Sequence, residues 1–189
     1  MTTSGRIAIL FTDNDYNIRL VTAIANKENN SVIVTSSDYV TDNCYPYAIT
    51  YIHDHILAIA YPTIEMNTTN VIHTIIAKEI ISNDSQTTIQ FYQSVSIPII
   101  SDVTFLDIDS WHLFNSVNTE LILAYITDDE TDGLSIMNLS YDSSSYTLHL
   151  GPRILNKNSG TSSIDTHGVH HLAILMLQSR KFIVVSYLI

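Results

Sequence analysis

The sequence feature that most constrains the fold is an apolar segment that recurs four times and ends each time in an aromatic residue. A polar or charged residue precedes each apolar run. The four copies are Arg6–Phe11, His55–Tyr61, Glu120–Tyr125 and Lys181–Tyr187, and their aromatic residues are about 50 to 64 positions apart. Self-similarity at such an interval is the signature of a repeat architecture, in which each unit buries its apolar face against the next.

Other strand-like segments recur in step with this one. Two follow it and one precedes it: Ile18–Ala25, Val71–Ala77 and Leu134–Ser140; Ser31–Thr35, Thr88–Phe91 and Thr147–Leu150; Ala48–Ile52, Val103–Ile108 and Leu172–Leu177. The short segments Thr88–Phe91 and Thr147–Leu150 alternate with period two, as a strand with one solvated face does. The pattern predicts an all-β chain of repeated four-stranded antiparallel units, forming one domain over residues 1–189 with units at about 1–43, 44–97, 98–160 and 161–189.

One segment also permits a helical interpretation. The apolar spacing of Val71–Ile81 would suit one face of a helix, but the segment is rich in isoleucine, whose β-branch favours strands. Its counterparts in the other units are rich in Ser or Thr. We therefore predict a strand there, and no helix longer than about two turns anywhere in the chain.

The repeated strand resembles that of bacterial propeller-type repeat proteins, whose units carry an apolar-Val-Ala-Tyr-x-Asp motif. The fullest version is Leu123–Asp128, and looser versions are Ile59–Tyr61 and Val185–Tyr187. This resemblance implies β-propeller-like blades. It implies an architecture and no particular activity.

Counting strands predicts an incomplete or open array. The first unit lacks an opening strand and the fourth has two strands, so the chain supplies about 13 where four complete blades need 16. The last segment, Phe182–Ile189, is uncharged and has high β-propensity, which is typical of an edge that pairs with another chain. We expect self-association through the unfinished terminal blades.

Composition excludes several classes of function. The net charge of −11 would repel a phosphate backbone, so nucleic acid is not expected as a partner. No run approaches the length of a membrane helix, and Met1–Gly5 lacks the features of a secretory signal. We expect a soluble chain, extracellular where it forms part of a longer secreted protein. The single cysteine, Cys44, is predicted to be a free buried thiol.

Two acidic turns are candidate calcium sites. The carboxylates are Asp13 and Asp15 in one turn and Asp128, Glu130 and Asp132 in the other. Closely spaced oxygen ligands suit Ca²⁺, and the second turn resembles the first half of a calcium loop. The later positions of such a loop carry apolar residues here. Acidic residues also occur in exposed turns simply because they form them. No other cofactor is predicted.

Other residues suggest weaker sites. Trp111 is a candidate for stacking on a sugar, with packing beneath a loop as the alternative. Histidines cluster at residues 53–55 and 167–171, but a zinc or copper site needs three or four converging ligands. No nucleophile motif is present, and no catalytic residue is assigned. We therefore predict a non-enzymatic module that presents loops to a protein or glycan ligand.

The alternative is a fragment of a carbohydrate-processing enzyme. Its acid and base would come from a set of four aspartates: Asp102, Asp107, Asp109 and Asp165. Two of them in one cleft would favour the enzyme, whereas dispersed carboxylates would favour a binding module.

Overall fold

The computed structural model describes residues 5–26, 28, 30–42, 44–53, 55–64, 70–81, 87–99, 101–111, 118–127, 134–156, 173–176 and 183–186. Within these ranges the regular structure consists of β-strands, and no helix occurs. The all-β prediction is confirmed, including a strand rather than a helix at Asn70–Ile81. In the described part of the chain, no helix is long and apolar enough to cross a membrane.

The strands form four antiparallel sheets, in which neighbours along the chain are also neighbours in the sheet. Sheet 1 contains β1 (Arg6–Thr12), β2 (Asn17–Asn26) and β3 (Ser31–Asp42). Sheet 2 contains β4 (Ala48–His53), β5 (Ile56–Ile64), β6 (Asn70–Ile81) and β7 (Thr87–Ile99). Sheet 3 contains β8 (Val103–Trp111), β9 (Asn118–Thr127), β10 (Leu134–Asp142) and β11 (Thr147–Asn156). Sheet 4 contains β12 (Ala173–Met176) and β13 (Ile183–Ser186).

Sheet 2 is buried on both faces. On β5, Leu57 and Ile59 belong to a core cluster shared with sheet 1, whereas Ala58 and Ala60 belong to a cluster shared with sheet 3. All four side chains are fully buried. A strand covered on both sides needs apolar residues at every position, which explains the unbroken run at Ile56–Ala60.

The same division of side chains recurs in the equivalent strands. We call the side of a sheet that faces the earlier sheet its leading face, and the other side its trailing face. Leu121, Leu123 and Tyr125 of β9 lie on the leading face of sheet 3, in the cluster shared with sheet 2. On β1, Ala8 and Leu10 pack on the trailing face, against sheet 2. β5 therefore uses alternate residues for its two neighbouring sheets, and β1 and β9 each pack against sheet 2 with one set of alternate residues.

The sheets are stacked in register with one another. The first strands of sheets 2, 3 and 4 contact in series, β4 with β8 and β8 with β12. The last strands of sheets 1, 2 and 3 do the same, β3 with β7 and β7 with β11. Corresponding strands of successive sheets therefore lie next to each other. Among the described residues the sheets are open, and none closes into a barrel.

One residue of a predicted apolar face is exposed. Leu148 is buried in β11, but Leu150 is 48% exposed although both were expected on one apolar face. The pairing of β10 with β11 shifts at this point, from Leu139 opposite Leu150 to Met137 opposite Arg153. Leu150 is opposite the buried Leu139 and so points to the same face, but β11 is the edge strand of sheet 3.

Candidate functional site

The connections between sheets gather at one end of the molecule. In an antiparallel sheet, the β5–β6 connection lies at the same end as the start of β4 and the end of β7. The segments that join sheet 1 to sheet 2 and sheet 2 to sheet 3 therefore lie at this end too. It also holds the β1–β2 turn, because Asn17 after that turn pairs with Asp42 at the end of β3. We call this end the upper rim.

A cleft of about 530 Å³ opens on the upper rim. Its lining comes from the end of sheet 1, the β3–β4 connection, sheet 2 and the start of sheet 3: Asp42, Cys44, Tyr45, Pro62, Thr63, Asn70, Asp102 and Val103. Segments of three successive units thus contribute to one cavity. Clefts that combine an apolar wall with a few polar groups are the usual sites of ligand binding.

The polar groups of the cleft are carboxylates and an amide. Asn70 donates from Nδ2 to the Asp102 carboxylate over 2.6 Å, which joins the start of β6 to the segment before β8. Asp42 accepts a hydrogen bond from the side chain of Tyr39, and this bond raises the pKa of Tyr39. The remaining carboxylate lone pairs are acceptors for hydroxyl or amino groups of a ligand.

Tyr45 gives the cleft an exposed aromatic ring. Its side chain is 79% exposed, the highest value among the large apolar residues described. The ring meets Tyr47 edge-on, with centroids 6.2 Å apart. The Tyr45 ring therefore contacts Tyr47 while much of it is open to a ligand.

Cys44 is a free buried thiol, as predicted. Its Sγ donates to the main-chain oxygen of Asp42 over 2.9 Å. Burial raises the pKa of the thiol, with a smaller contribution from the Asp42 carboxylate. A protonated, hydrogen-bonded thiol is a weak nucleophile. We therefore assign Cys44 a structural role in the β3–β4 connection.

The predicted acidic turn at Asp13 is a hydrogen-bonded β-turn. Oδ1 of Asp13 accepts from the main-chain N–H groups of Asp15 and Asn17, both at 2.9 Å. Oδ2 accepts from Nδ2 of Asn17 at 3.2 Å and from Nε of Arg19 at 2.7 Å. The Arg19 hydrogen bond is the main cause that lowers the pKa of Asp13 to about 2. These partners engage both carboxylate oxygens in forming the turn.

The calcium assignment stays a prediction. Asp128, Glu130 and Asp132 lie outside the described residues. Among the residues that are described, no group of three or more His, Cys, Asp or Glu side chains is arranged to hold a metal ion. The carboxylate of Asp13 would have to exchange its present partners for the ion.

Trp111 does not lie at the upper rim. It is the last residue of β8, whose first residue, Val103, lines the cleft. A strand of this length spans about 25 Å, so the main chain of Trp111 reaches the opposite end of sheet 3. Its role in binding a sugar stays a prediction, at a place separate from the cleft.

The candidate carboxylates of an enzyme are dispersed. Asp102 lines the upper cleft, whereas Asp109 lines a groove of about 540 Å³ between β1, β4 and β8. Oδ1 of Asp109 accepts from the Thr50 hydroxyl at 3.3 Å. Asp107 accepts from the main-chain N–H of Ile108 at 2.9 Å, and Asp165 lies outside the described residues.

The histidines are also separated. His53 meets the ring of Tyr141 at 6.2 Å, and Nδ1 of His55 lies 3.3 Å from the Glu79 carboxylate. Both therefore have contacts with residues of the sheets. His167, His170 and His171 lie outside the described residues.

Sequence reasoning missed Asp42, Tyr45 and Asn70 as site residues. They come from the end of β3, the β3–β4 connection and the start of β6. The feature they share is their position, since each lies in or next to a connection on the upper rim. No protein-family model, curated protein or solved structure matches this chain, so the resemblance to propeller-type repeats stays a prediction.

Proposed function

We propose that this protein is a non-enzymatic binding module of propeller-like blades that holds a glycan in the cleft of the upper rim. The stacking of corresponding strands supports the blade interpretation. In a propeller the first strands of successive blades are neighbours, and so are the last strands. The contacts of β4 with β8 and of β7 with β11 follow that order.

The chemistry of the cleft suits a hydroxyl-rich ligand. Asp42 and Asp102 supply carboxylate acceptors, and Asn70 supplies an amide beside them. Tyr45 supplies an aromatic face on which a sugar ring can stack. The net charge of −11 disfavours phosphorylated and acidic sugars, so the ligand class is a neutral or amino sugar.

A single observation carries this proposal. Two carboxylates and an exposed tyrosine, contributed by successive units, line the same open cleft. A site built from several units is maintained by the packing of the sheets behind it, and its polar groups are positioned before the ligand arrives.

The test is a panel of immobilised neutral and amino glycans, followed by calorimetric titration of those that bind. Tyr45→Ala should weaken binding roughly 3- to 10-fold through the loss of the stacked ring. Asp42→Asn and Asp102→Asn should each weaken it by roughly tenfold or more, because a hydrogen bond to a charged acceptor is lost.

Tyr16 provides a matched control. It is a tyrosine of the β1–β2 turn on the same rim, it is 69% exposed, and it does not line the cleft. Tyr16→Ala should bind like the wild type. Equal affinity of Tyr45→Ala and wild type, or binding to no glycan in the panel, would remove the proposal.

Hydrolysis of a glycoside is the second candidate, because Asp42 and Asp102 line one cleft. A glycosidase needs an acid and a base or nucleophile on opposite sides of the scissile bond. Release of reducing ends from glycans that bind, abolished by Asp102→Asn with binding retained, would favour the enzyme over the binding module.

A further inference from the structure

We propose that the free edge of β1 binds an extended, basic peptide segment of a partner protein, which adds to sheet 1 as a fourth strand. This surface is separate from the upper-rim cleft and does not depend on the glycan proposal. β1, β5 and β9 are the equivalent aromatic-ended strands, and β4 and β8 lie beside β5 and β9 at the edges of their sheets. In the described part of the chain, no strand occupies the same place beside β1.

A groove of about 540 Å³ lies at this edge. Its lining comes from three edge strands, β1, β4 and β8: Ile7, Ala8, Ile49, Thr50, Tyr51, Asp109 and Ser110. All seven residues are half-buried. The groove therefore lies where the edges of three successive sheets meet.

The pairing of β1 with β2 determines which main-chain groups point to the free edge. The N–H of Ala25 donates to the oxygen of Gly5 at 3.0 Å, and the N–H of Asp13 donates to the oxygen of Asn17 at 2.9 Å. Hydrogen-bonded and non-hydrogen-bonded pairs alternate along an antiparallel ladder, and this ladder has no register shift. The odd-numbered residues of β1 therefore bond to β2. Ala8 and Leu10 direct their N–H and C=O groups to the free edge.

The edge of β1 is complementary to another strand. Its outward donors and acceptors recur every second residue, about 6.8 Å apart, which is the spacing of an extended peptide. Charge usually protects such an edge, but the charged residue of β1, Arg6, is buried in its ion pair with Glu79. On the neighbouring edge, by contrast, the main-chain oxygen of Tyr51 accepts from the Ser110 hydroxyl. Main-chain pairing of this kind is a common mode of peptide recognition.

The groove also specifies the side chains of the peptide. Ala8, Leu10, Ile49 and Tyr51 pack against the cluster shared by sheets 1 and 2. Peptide residues directly opposite Ala8 and Leu10 would place their side chains on the same face, towards β4. We therefore expect an apolar residue at every second position of the peptide. These apolar residues are also the ones whose N–H groups point to β1.

Charge favours a cation at one end of the peptide. The Asp109 carboxylate lines the groove, where its Oδ1 accepts from the Thr50 hydroxyl at 3.3 Å and from the main-chain N–H of Ser110 at 2.8 Å. A further bond from Lys or Arg would be charge-assisted. Asp109 lies near the end of β8, and an antiparallel fourth strand would run in the direction of β4 and β8. The cation therefore belongs near the C-terminal end of the peptide.

The probe is the octapeptide Thr-Val-Thr-Ile-Thr-Val-Thr-Lys, acetylated and amidated at its ends. Calorimetric titration should give a dissociation constant of roughly 100 μM or lower. N-methylation of the isoleucine removes an N–H that points to β1 and should weaken binding roughly tenfold or more. N-methylation of the threonine that follows removes an N–H that points away, and should change affinity by less than about 2-fold. No binding at about 1 mM peptide, or equal effects of the two methylations, overturns the proposal.

A charge variant tests the position of the cation. Asp109→Asn should weaken binding of the lysine peptide roughly 2- to 5-fold and leave a peptide with glutamine in place of lysine unaffected. Glu28→Gln removes the same charge from an exposed residue between β2 and β3, and should bind both peptides like the wild type. An equal effect of Asp109→Asn and Glu28→Gln would overturn the assignment of the cation to Asp109.

Hydrogen exchange followed by nuclear magnetic resonance locates the bound peptide. The amide protons of Ala8 and Leu10 should exchange more slowly when the peptide binds, whereas Ile9, already bonded to β2, should be protected in both states. Unchanged exchange of Ala8 and Leu10 in the complex would overturn the proposal. So would protection of both in the free chain, which would show that a segment of this chain covers the edge, or protection that appears only as the chain is concentrated, which would show a second copy there.

Discussion

Arg6 and Glu79 form an ion pair across the interface of sheets 1 and 2, with 2.5 Å between Nη1 and Oε2. Their side chains are 8% and 0% exposed. Arg6 comes from the trailing face of sheet 1 and Glu79 from the leading face of sheet 2, next to the cluster of Leu57, Ile59 and Ala77. The pair therefore helps to fix how the first two sheets meet.

Removing one partner of this pair should destabilise the fold. Arg6→Met leaves the buried carboxylate of Glu79 without its guanidinium, and we expect a loss of about 3 to 5 kcal/mol in the free energy of unfolding. The double variant Arg6→Met, Glu79→Leu should recover much of this loss, because no charge is then buried. Urea denaturation of the two single variants and the double variant measures the coupling. Additive losses would contradict a direct pair.

Removing the polar group of Tyr141, by contrast, should not destabilise the fold. Its ring is fully buried between sheets 2 and 3, and its hydroxyl has no hydrogen-bond partner among the described atoms. Tyr141→Phe removes a buried hydroxyl group that lacks a hydrogen bond among the described atoms. The free energy of unfolding should therefore be unchanged or higher by about 1 kcal/mol. Thermal unfolding measures this. A loss above about 1 kcal/mol would mean that the hydroxyl has a partner.

The same residue predicts behaviour at high pH. Burial raises the pKa of Tyr141 to about 12, with smaller contributions from neighbouring tyrosines. Because the folded pKa exceeds the ordinary value of 10.0, the stabilisation is fully present below pH 10 and is lost as the pH rises towards about 12. Tyr141→Phe should make stability less dependent on pH in that window. An identical alkaline limb in the variant would contradict the assignment.

Gly151 is expected to be intolerant of a side chain. A Cβ at this position would lie 2.8 Å from the main-chain oxygen of Asn138 on the paired strand. Gly151→Ala should cost about 1 to 3 kcal/mol, because the two strands must separate at the irregular pairing. Leu150→Ala is the matched control and should cost less, since Leu150 is half exposed. Equal losses measured by urea denaturation would rule out the steric explanation.

Asp13 predicts a contribution to stability at low pH. Its pKa is lowered to about 2, first of all by the Arg19 hydrogen bond, from an ordinary value of 3.8. The stabilisation is therefore present above pH 3.8 and is lost as the pH falls through about 2. Asp13→Asn should flatten the acid limb of an unfolding curve in that window.

The same variant tests the calcium prediction. If the Asp13 carboxylate only stabilises the turn, it binds no calcium. Millimolar calcium should then have the same effect on the melting temperatures of the wild type and Asp13→Asn. A rise in the wild type that Asp13→Asn removes would show that the ion replaces the present hydrogen bonds.

Strand positions could be predicted from local patterns in this chain. The isoleucines of Val71–Ile81 favoured a strand because β-branched side chains suit a pleated surface, and β6 confirms it. The unbroken apolar run at Ile56–Ala60 likewise agrees with a strand buried on both faces. These properties depend on neighbours in sequence, so a short window contains the information.

The cleft could not be predicted in this way. Asp42, Asn70 and Asp102 are far apart in sequence and share no motif, and they converge because antiparallel pairing and sheet stacking bring three connections to one rim. The turn at Asp13 shows the same limit: its spacing suited calcium, but the approach of Arg19 across the strand pair engages the carboxylate. Which side chains meet is decided by strand register and sheet packing, and these depend on contacts between residues that are distant in the chain.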